Sequence, residues 1–381
     1  MPPKLIKESE FLFKRFLLSV FRVFLKRGDP SVWPVAPESV KSVLFLRPDK
    51  LGDMIASIPA MHALKKRFPH IRIEVIASPH NRALVDCDPA IDTVHVYAKN
   101  IYHDLPLIRR LRKKGFDIVF DPISLDSVTG LLLTKFIGKR AVRAGSRKQN
   151  LFRYYDYCER HDPDGRDHNY DNSLLIFNVL GIDPATVDPF LPVFLPEDSI
   201  ARAEQFYNEL SCDRRFLIGV NISAGSPTRT LPISKYIAML RTIGEEHSSE
   251  LFLISCTAED RPRGKELVAN LQGRARLVPE GLSLLDVSAI LRRVDIFISP
   301  DTSLVHIVRL MQIPVVGLYS GHIRNYHFWK PYRQEHGSVV AKNIHNLHDI
   351  EPDQVVAEFR KVLDNIRKSD PNRIPNPLTK G

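Results

Sequence analysis

Short β-rich apolar runs alternate with helix-period stretches along nearly the whole chain, and the alternation runs through twice. Strands that alternate with helices build βαβ units and a mostly parallel sheet, so this pattern limits the fold more than any single motif. In the first pass, strand-like runs fall at 43–46, 71–77, 93–97, 117–120 and 140–144, with helical stretches at 59–68, 105–114 and 125–137. A polar, turn-rich segment at 161–172 precedes a helix at 173–180 that Gly181 closes. The stretch 183–196, with four prolines, then separates the two patterned halves. The second pass places helices at 198–210, 233–245, 263–271, 284–292 and 302–311, and strands at 216–221, 251–255, 275–278, 294–299 and 315–318. A last helix at 352–366 precedes a Pro/Asn-rich tail expected to be disordered. The chain of 381 residues therefore reads as two similar α/β domains in tandem with a cleft between them.

Composition narrows the partners. An apolar fraction of 44% and a charged fraction of 26% are those of an ordinary globular protein. Cys87, Cys158, Cys212 and Cys256 lie far apart with no C-x-x-C pair, which argues against a zinc site or disulfide framework and fits a reducing compartment. The net charge of +10 points to an acidic partner, and position sharpens this. Lys4, Lys7, Lys14, Arg15, Arg22, Lys26 and Arg27 crowd the first thirty residues against only Glu8, Glu10 and Asp29. Residues 4–27 read as a helix with a wide aromatic-rich apolar face and a basic edge, suited to lying in a membrane interface or to docking on protein. Charges interrupt it too often for a membrane span or a signal peptide. Residues 28–37, with three prolines and Trp33, read as a linker into the folded body.

Three post-strand corners could carry chemistry. In FLRPDKLGDMIASIP (45–59) an apolar strand stops at Arg47-Pro48, and Leu51-Gly52-Asp53 opens a helix that ends in Lys65, Lys66 and Arg67. Asp53 thus sits at the carboxyl edge of a strand, where open α/β sheets bind ligands, or is simply a first-turn acid. In ISPDTSLVH (298–306) a strand hands over to a helix at Asp301, Thr302 and Ser303. The unpaired N–H groups of that helix start, flanked by hydroxyls, make a phosphate cradle, with His306 one turn on; an Asp cap and a core histidine are the plain alternative. In NISAGSPTRTLP (221–232), Gly225 permits close backbone approach, the hydroxyls can donate, and Arg229 can hold a phosphate. A solvated surface turn is its alternative. No G-x-G-x-x-G, G-x-x-x-x-G-K-[ST] or G-x-S-x-G motif follows a strand, so dehydrogenase, P-loop nucleotidase and hydrolase chemistry are unsupported. The D-x-D pairs at 86–88 and 162–164 sit in turn-like segments and carry little weight.

Taken together, Leu51-Gly52-Asp53, Arg229-Thr230-Leu231-Pro232, Leu282-Ser283-Leu284 and Asp301-Thr302-Ser303-Leu304-Val305-His306 resemble glycosyltransferase family 9, the lipopolysaccharide heptosyltransferases, over roughly residues 40–345. The resemblance implies a GT-B fold, with two Rossmann-like domains facing across a cleft, and an inverting, metal-independent transfer without cofactor. It implies that Asp53 is the general base on the acceptor hydroxyl, with Lys50, Gly52 and His168 on the acceptor side. Arg229 and the Thr302/Ser303 helix start would hold the donor diphosphate, helped by Ser223, Gly225, Ser226, Asp301 and His306. Glu259 and Leu282 would meet the nucleoside. Ser303 stands where the family usually has glycine, and Leu231 where it has an aromatic; both bear on donor identity.

The expected organisation is a basic amphipathic helix and linker (1–38), an acceptor-binding domain (39–190), a nucleotide-sugar domain (191–350) and a terminal helix and tail (351–381). The expected activity is transfer of a sugar, foremost heptose from ADP-heptose, to a lipopolysaccharide core-type acceptor. The enzyme would lie on the inner face of the cytoplasmic membrane, anchored through residues 4–27 on anionic lipid, with no nucleic-acid partner. The alternatives are a GT-B transferase or epimerase using another nucleotide-sugar, such as a UDP-linked one, or a silent membrane-bound scaffold.

Overall fold

The computed structural model describes residues 25–161, 168–188, 193–210, 216–246 and 250–369. All but the last three residues of the expected amphipathic helix (4–27), the D-x-D pair at 162–164 and the tail from 370 onward lie outside the described residues. The chain divides into two compact units, Met1–Pro189 and Phe190–Gly381.

The first unit is built on strands β1 (Ser42–Arg47), β2 (Arg72–Ala77), β3 (Thr93–Val96), β4 (Ile118–Asp121), β5 (Val142–Lys148) and β6 (Tyr157–Arg160). They form one parallel sheet in the order β3-β2-β1-β4-β5-β6. Every residue of β1 is buried, as a central parallel strand covered on both faces must be, which is why its middle, Val43-Leu44-Phe45-Leu46, is an apolar run between Ser42 and Arg47. Helices α1 (Leu51–Arg67), α2 (Ile101–Lys114) and α3 (Val128–Ile137) make the crossovers. Two short helices, α4 (Asn169–Leu174) and α5 (Ile176–Val179), follow β6. The helix α2 starts four residues before the expected 105, because Asn100 caps it by accepting from Tyr102 N at 3.0 Å while its exposed first turn shows no apolar period.

Two features of this unit were not expected. The stretch 28–37 is strapped to the body: Gly28 N donates to Arg153 O and Val35 N to Val179 O, and Trp33 meets Tyr157 edge-on at 4.8 Å. Gly28 allows this, since a Cβ there would sit 1.7 Å from Tyr155 O. In the core, fully buried Lys148 pairs with Asp121 at 3.1 Å, and Tyr155 donates to the same carboxylate at 2.6 Å. The pair ties β5 to β4, and Gly130 on α3 is small because a Cβ would meet Asp121 at 2.4 Å.

The second unit opens with α6 (Glu197–Leu210) and repeats the plan with β7 (Phe216–Asn221), α7 (Ile233–Glu246), β8 (Glu250–Ser255), α8 (Arg261–Ala269), β9 (Ala275–Leu277), α9 (Leu284–Leu291), β10 (Ile296–Pro300), α10 (Ser303–Leu310), β11 (Val315–Tyr319), α11 (Ile323–Trp329), β12 (His336–Val340) and α12 (Pro352–Ser369). Its parallel sheet has the order β12-β11-β10-β7-β8-β9. Counted from the first strand of each unit, both orders are 3-2-1-4-5-6, the Rossmann order. The expected α/β class and paired Rossmann-like domains are therefore present; β6, α11 and β12 are additions to the expected elements. A helix-side cluster around Ile218, Tyr236, Phe252 and Phe359 fills the core of this unit. Among the described residues no helix is long and apolar enough to cross a membrane.

Candidate functional site

The Rossmann order fixes where ligands can sit. Between β1 and β4, and again between β7 and β10, successive strands run outward in opposite directions, so a crevice opens at their carboxyl ends. Both candidate sites lie at these two points.

In the first unit the crevice is pinned by Arg47, the last residue of β1 and wholly buried. Its guanidinium donates to Ser57 Oγ at 2.5 Å, Asp49 Oδ2 at 2.8 Å, Pro122 O at 3.0 Å and Ser173 Oγ at 3.4 Å. One side chain thus joins β1, α1, the loop after β4 and α4. Arg47 donates only, and its planar fork suits several acceptors at once. Asp53, in the first turn of α1, is half-buried; its Oδ1 accepts from Asn169 Nδ2 at 3.2 Å. Asp49 shares the corner. Burial pushes its carboxyl up to about 7; Arg47 pulls the other way and the neighbouring Asp53 charge pushes further up. Two carboxylates therefore face the same crevice, one of them titrating near neutrality.

Of the other expected residues here, Gly52 lies on the first turn of α1 and Lys50 is its exposed cap residue, without a capping side chain. His168 is buried and spends Nδ1 on the start of α4, accepting from Tyr170 N at 3.3 Å. It supports the helix that carries Asn169 and does not present an open ring. Asp88, from a discounted D-x-D pair, is buried against His62 at 2.8 Å.

In the second unit the crevice is pinned by Asn221, the last residue of β7. Its Nδ2 donates to Ser223 O at 2.9 Å, Ser299 Oγ at 3.0 Å and Thr302 Oγ1 at 3.3 Å. The loop after β7 and the start of α10 are thereby held together. Beside them opens a cavity of about 660 Å³, lined at one end by Ser223, Gly225, Thr302 and Ser303 and at the other by Val278, Leu282, Leu284 and Val287. The polar end faces the start of α10, whose N-cap is Thr302 and not Asp301, with no side chain capping the helix. Its first N–H groups and the positive dipole end are left for an anion. The far end is an apolar slot with one ion pair on its rim, Glu280 to Arg261 Nε at 2.9 Å. Ser223 donates to Asp260 at 2.6 Å and accepts from Thr257 N. Burial pushes the Asp260 carboxyl up, but Ser223 and Arg263 outweigh it and hold the group ionised below its ordinary range. Ser223 therefore braces the wall more than it offers a free hydroxyl.

The expected donor residues separate into two groups. Ser223, Gly225, Leu282, Thr302 and Ser303 line the cavity, and a Cβ at Gly225 would meet open space. Ser226, Arg229, Glu259, Asp301 and His306 do not. Arg229 lies outside the rim, 3.9 Å from Asp301, which also accepts from Asn325. Ser226 contacts Thr228, Glu259 points to solvent, and His306 is buried against Trp329. The carboxylate on the cavity wall is Glu280. Sequence reasoning passed over Arg47, Asp49, Asn169, Asn221, Arg261 and Glu280. The available signals were an arginine and an asparagine each ending an apolar strand, where such residues are scarce.

A profile of glycosyltransferase family 9 (heptosyltransferase) matches residues 105–357. A lipopolysaccharide core heptosyltransferase of Haemophilus influenzae is 21% identical over 294 residues, covering 76% of this chain and 82% of that protein. The crystal structure of a family 9 glycosyltransferase from Veillonella parvula superposes with a TM-score of 0.73 at 20% identity, covering 87% of this chain and all of that one. The ADP-heptose lipopolysaccharide heptosyltransferase II of E. coli gives 0.64 at 20% identity, covering 85% and 99%. These likenesses place the fold as GT-B.

Proposed function

The chain belongs to glycosyltransferase family 9 and is a glycosyltransferase of heptosyltransferase type, and from this we propose that it moves heptose from ADP-heptose to a lipopolysaccharide core-type acceptor, with inversion and without a metal or cofactor. The observation that carries the donor half is the 660 Å³ cavity, with an uncapped helix start at one end and an apolar slot at the other. That division suits a diphosphate joined to a planar base, and the volume is that of an ordinary ligand pocket. The E. coli neighbour named for ADP-heptose supports the choice of donor.

In the proposed reaction Asp53 takes the proton of the acceptor hydroxyl as its oxygen bonds to the anomeric carbon. The bond from that carbon to the β-phosphate oxygen breaks, and the nucleoside diphosphate leaves. The α10 start, with Thr302 and Ser303, would stabilise the charge on the departing diphosphate, and Arg229, outside the rim beside Asp301, would add a more distant cation. The first unit would serve the acceptor and the second the donor. Lys50 and Gly52 would border the acceptor. The enzyme would work on the inner face of the cytoplasmic membrane, with residues 4–27 on anionic lipid. Calorimetric titration with ADP, ADP-heptose, UDP and UDP-N-acetylglucosamine tests the donor, and mass spectrometry of a truncated lipopolysaccharide acceptor tests the transfer. Binding of ADP compounds with a heptose mass increment is expected; binding of UDP compounds alone would overturn the donor.

Asp49 adds a pH prediction. Below about pH 7 its carboxyl is protonated and Asp53 stands beside a neutral group; above, the crevice gains a second negative charge next to Asp53. The pH profile of kcat/KM should rise through neutrality in the unaltered enzyme and lose that rise in Asp49→Asn. Because the folded carboxyl titrates above its unfolded value, the fold binds the proton more tightly and loses stability as pH climbs from about 4 to about 7. Asp49→Asn should therefore melt higher than the unaltered protein at pH 8, with the gap closing toward pH 4.

A further inference from the structure

The outer face of α2 has no partner among the described residues. Asp104, Leu107 and Leu111 face inward, and Tyr102, Leu105, Arg109 and Lys113 fall on the opposite stripe. Ile101 and Tyr102 are 68% and 88% exposed, large side chains that a water-facing helix has no reason to present together. The same helix ends in Arg109, Arg110, Arg112, Lys113 and Lys114, and the end of α3 adds exposed Phe136, Lys139 and Arg140. A groove of about 620 Å³ runs between these two helix ends, lined by Arg109, Arg112, Lys113, Lys114, Lys139 and Arg140. Of these cations only Lys114 meets a carboxylate, Glu74, among the described residues. Like charges this dense repel one another until an anionic surface neutralises them.

The amino-terminal stretch reaches the described fold on the other face of α3, turned away from the groove. Lys135 of α3 donates to Lys26 O at 2.8 Å, and Leu25 packs against the cluster around Leu131. The groove lies at the amino edge of the sheet, where β4 and β5 begin, whereas Asp53 lies at the carboxyl edge. The cationic groove is therefore separate from the acceptor corner.

We propose that the outer face of α2, with the end of α3, is a second membrane-contact surface, its cations on anionic phospholipid headgroups and Ile101, Tyr102 and Leu105 in the headgroup boundary. Cations beside exposed aromatic and aliphatic groups make up the composition of an interfacial surface. This rests on the reading of a membrane-borne acceptor, but on residues other than 4–27.

Co-sedimentation of the full chain with vesicles of phosphatidylcholine and phosphatidylglycerol tests it, pure phosphatidylcholine vesicles serving as the comparison. Arg109→Glu, Arg112→Glu, Lys113→Glu and Lys139→Glu together should weaken binding by about 100-fold or more. The same positions changed to Gln, which perturb the fold least, should give an intermediate loss, and Tyr102→Ser a smaller one. A separate full-chain variant with Lys4, Lys7, Lys14, Arg15 and Arg22 changed to Gln should keep a measurable, salt-sensitive affinity that the α2 substitutions abolish. Binding of the Glu variant as tight as that of the unaltered chain would overturn the proposal. Transfer to a deacylated, water-soluble acceptor is read on the same proteins. Lost vesicle binding with full soluble turnover supports the surface, while absence of turnover in the unaltered chain overturns the assigned reaction and leaves the vesicle result to stand by itself.

Discussion

Asp53→Asn is expected to lower glycosyl transfer by about 10²–10⁴-fold, the range that a positioned general base contributes, while donor affinity stays where it was. The substitution keeps the shape, and an amide oxygen can still accept from Asn169 Nδ2, so the corner stays folded. The donor cavity is lined by residues of the second unit alone, which separates the two readouts. A fall in kcat with unchanged ADP affinity identifies the base; turnover near that of the unaltered enzyme would remove Asp53 from the mechanism. As the proposed base, Asp53 would act chiefly through its position, which the first turn of α1 and the Asn169 amide fix.

The fold was legible where periodicity alone decides it. The β1 run is apolar because both faces are covered, and the expected strand 216–221 coincides with β7 because its residues are buried without exception. Of the four edge strands, β3 and β9 were legible but β6 and β12 were not. In β6 and β12 burial is partial, so Tyr157–Arg160 and His336–Val340 carry too few apolar residues to stand out. The strap 28–37 read as a linker because its proline content is that of a loop; what holds it are backbone bonds to residues more than a hundred positions away.

The site divides in the same way. The corners that carry Asp53, Gly225, Thr302 and Ser303 were legible because each is a handover from strand to helix, a position that a sequence displays directly. The groups that organise those corners were not. Arg47 draws its acceptors from Asp49, Ser57, Pro122 and Ser173, and Asn221 draws its own from Ser223, Ser299 and Thr302. Such sets exist only once the sheet order brings the ends of first and fourth strands together. Glu259 and Glu280 make the point within one unit: both are acids in post-strand loops, but only Glu280 comes to the cavity wall, through its pair with Arg261.

Arg47→Met should be the most destabilising single change in the first unit. It removes a buried cation from its carboxylate partner and orphans the Pro122 carbonyl, at a cost of about 3–5 kcal/mol at pH 8. For a unit of this size that corresponds to a melting transition lower by about 2–4 °C per kcal/mol, followed on probes of the first unit because two units need not unfold together. The pH dependence identifies the cause. At pH 5 Asp49 is protonated in both proteins, so only lost hydrogen bonds and packing separate them. Above pH 7 the unaltered Asp49 ionises against Arg47, whereas without Arg47 it stays protonated to higher pH, so the fold goes on losing stability relative to the unfolded chain. The deficit should therefore widen from pH 7 upward. Asp49→Asn added to Arg47→Met should recover the widening part and leave the pH 5 deficit untouched, a coupling that a double-mutant cycle measures directly. A deficit independent of pH would mean that Arg47 acts only as filler in the core. A deficit that Asp49→Asn narrows above pH 7 would establish Arg47 as the counter-charge that holds two carboxylates at one strand end.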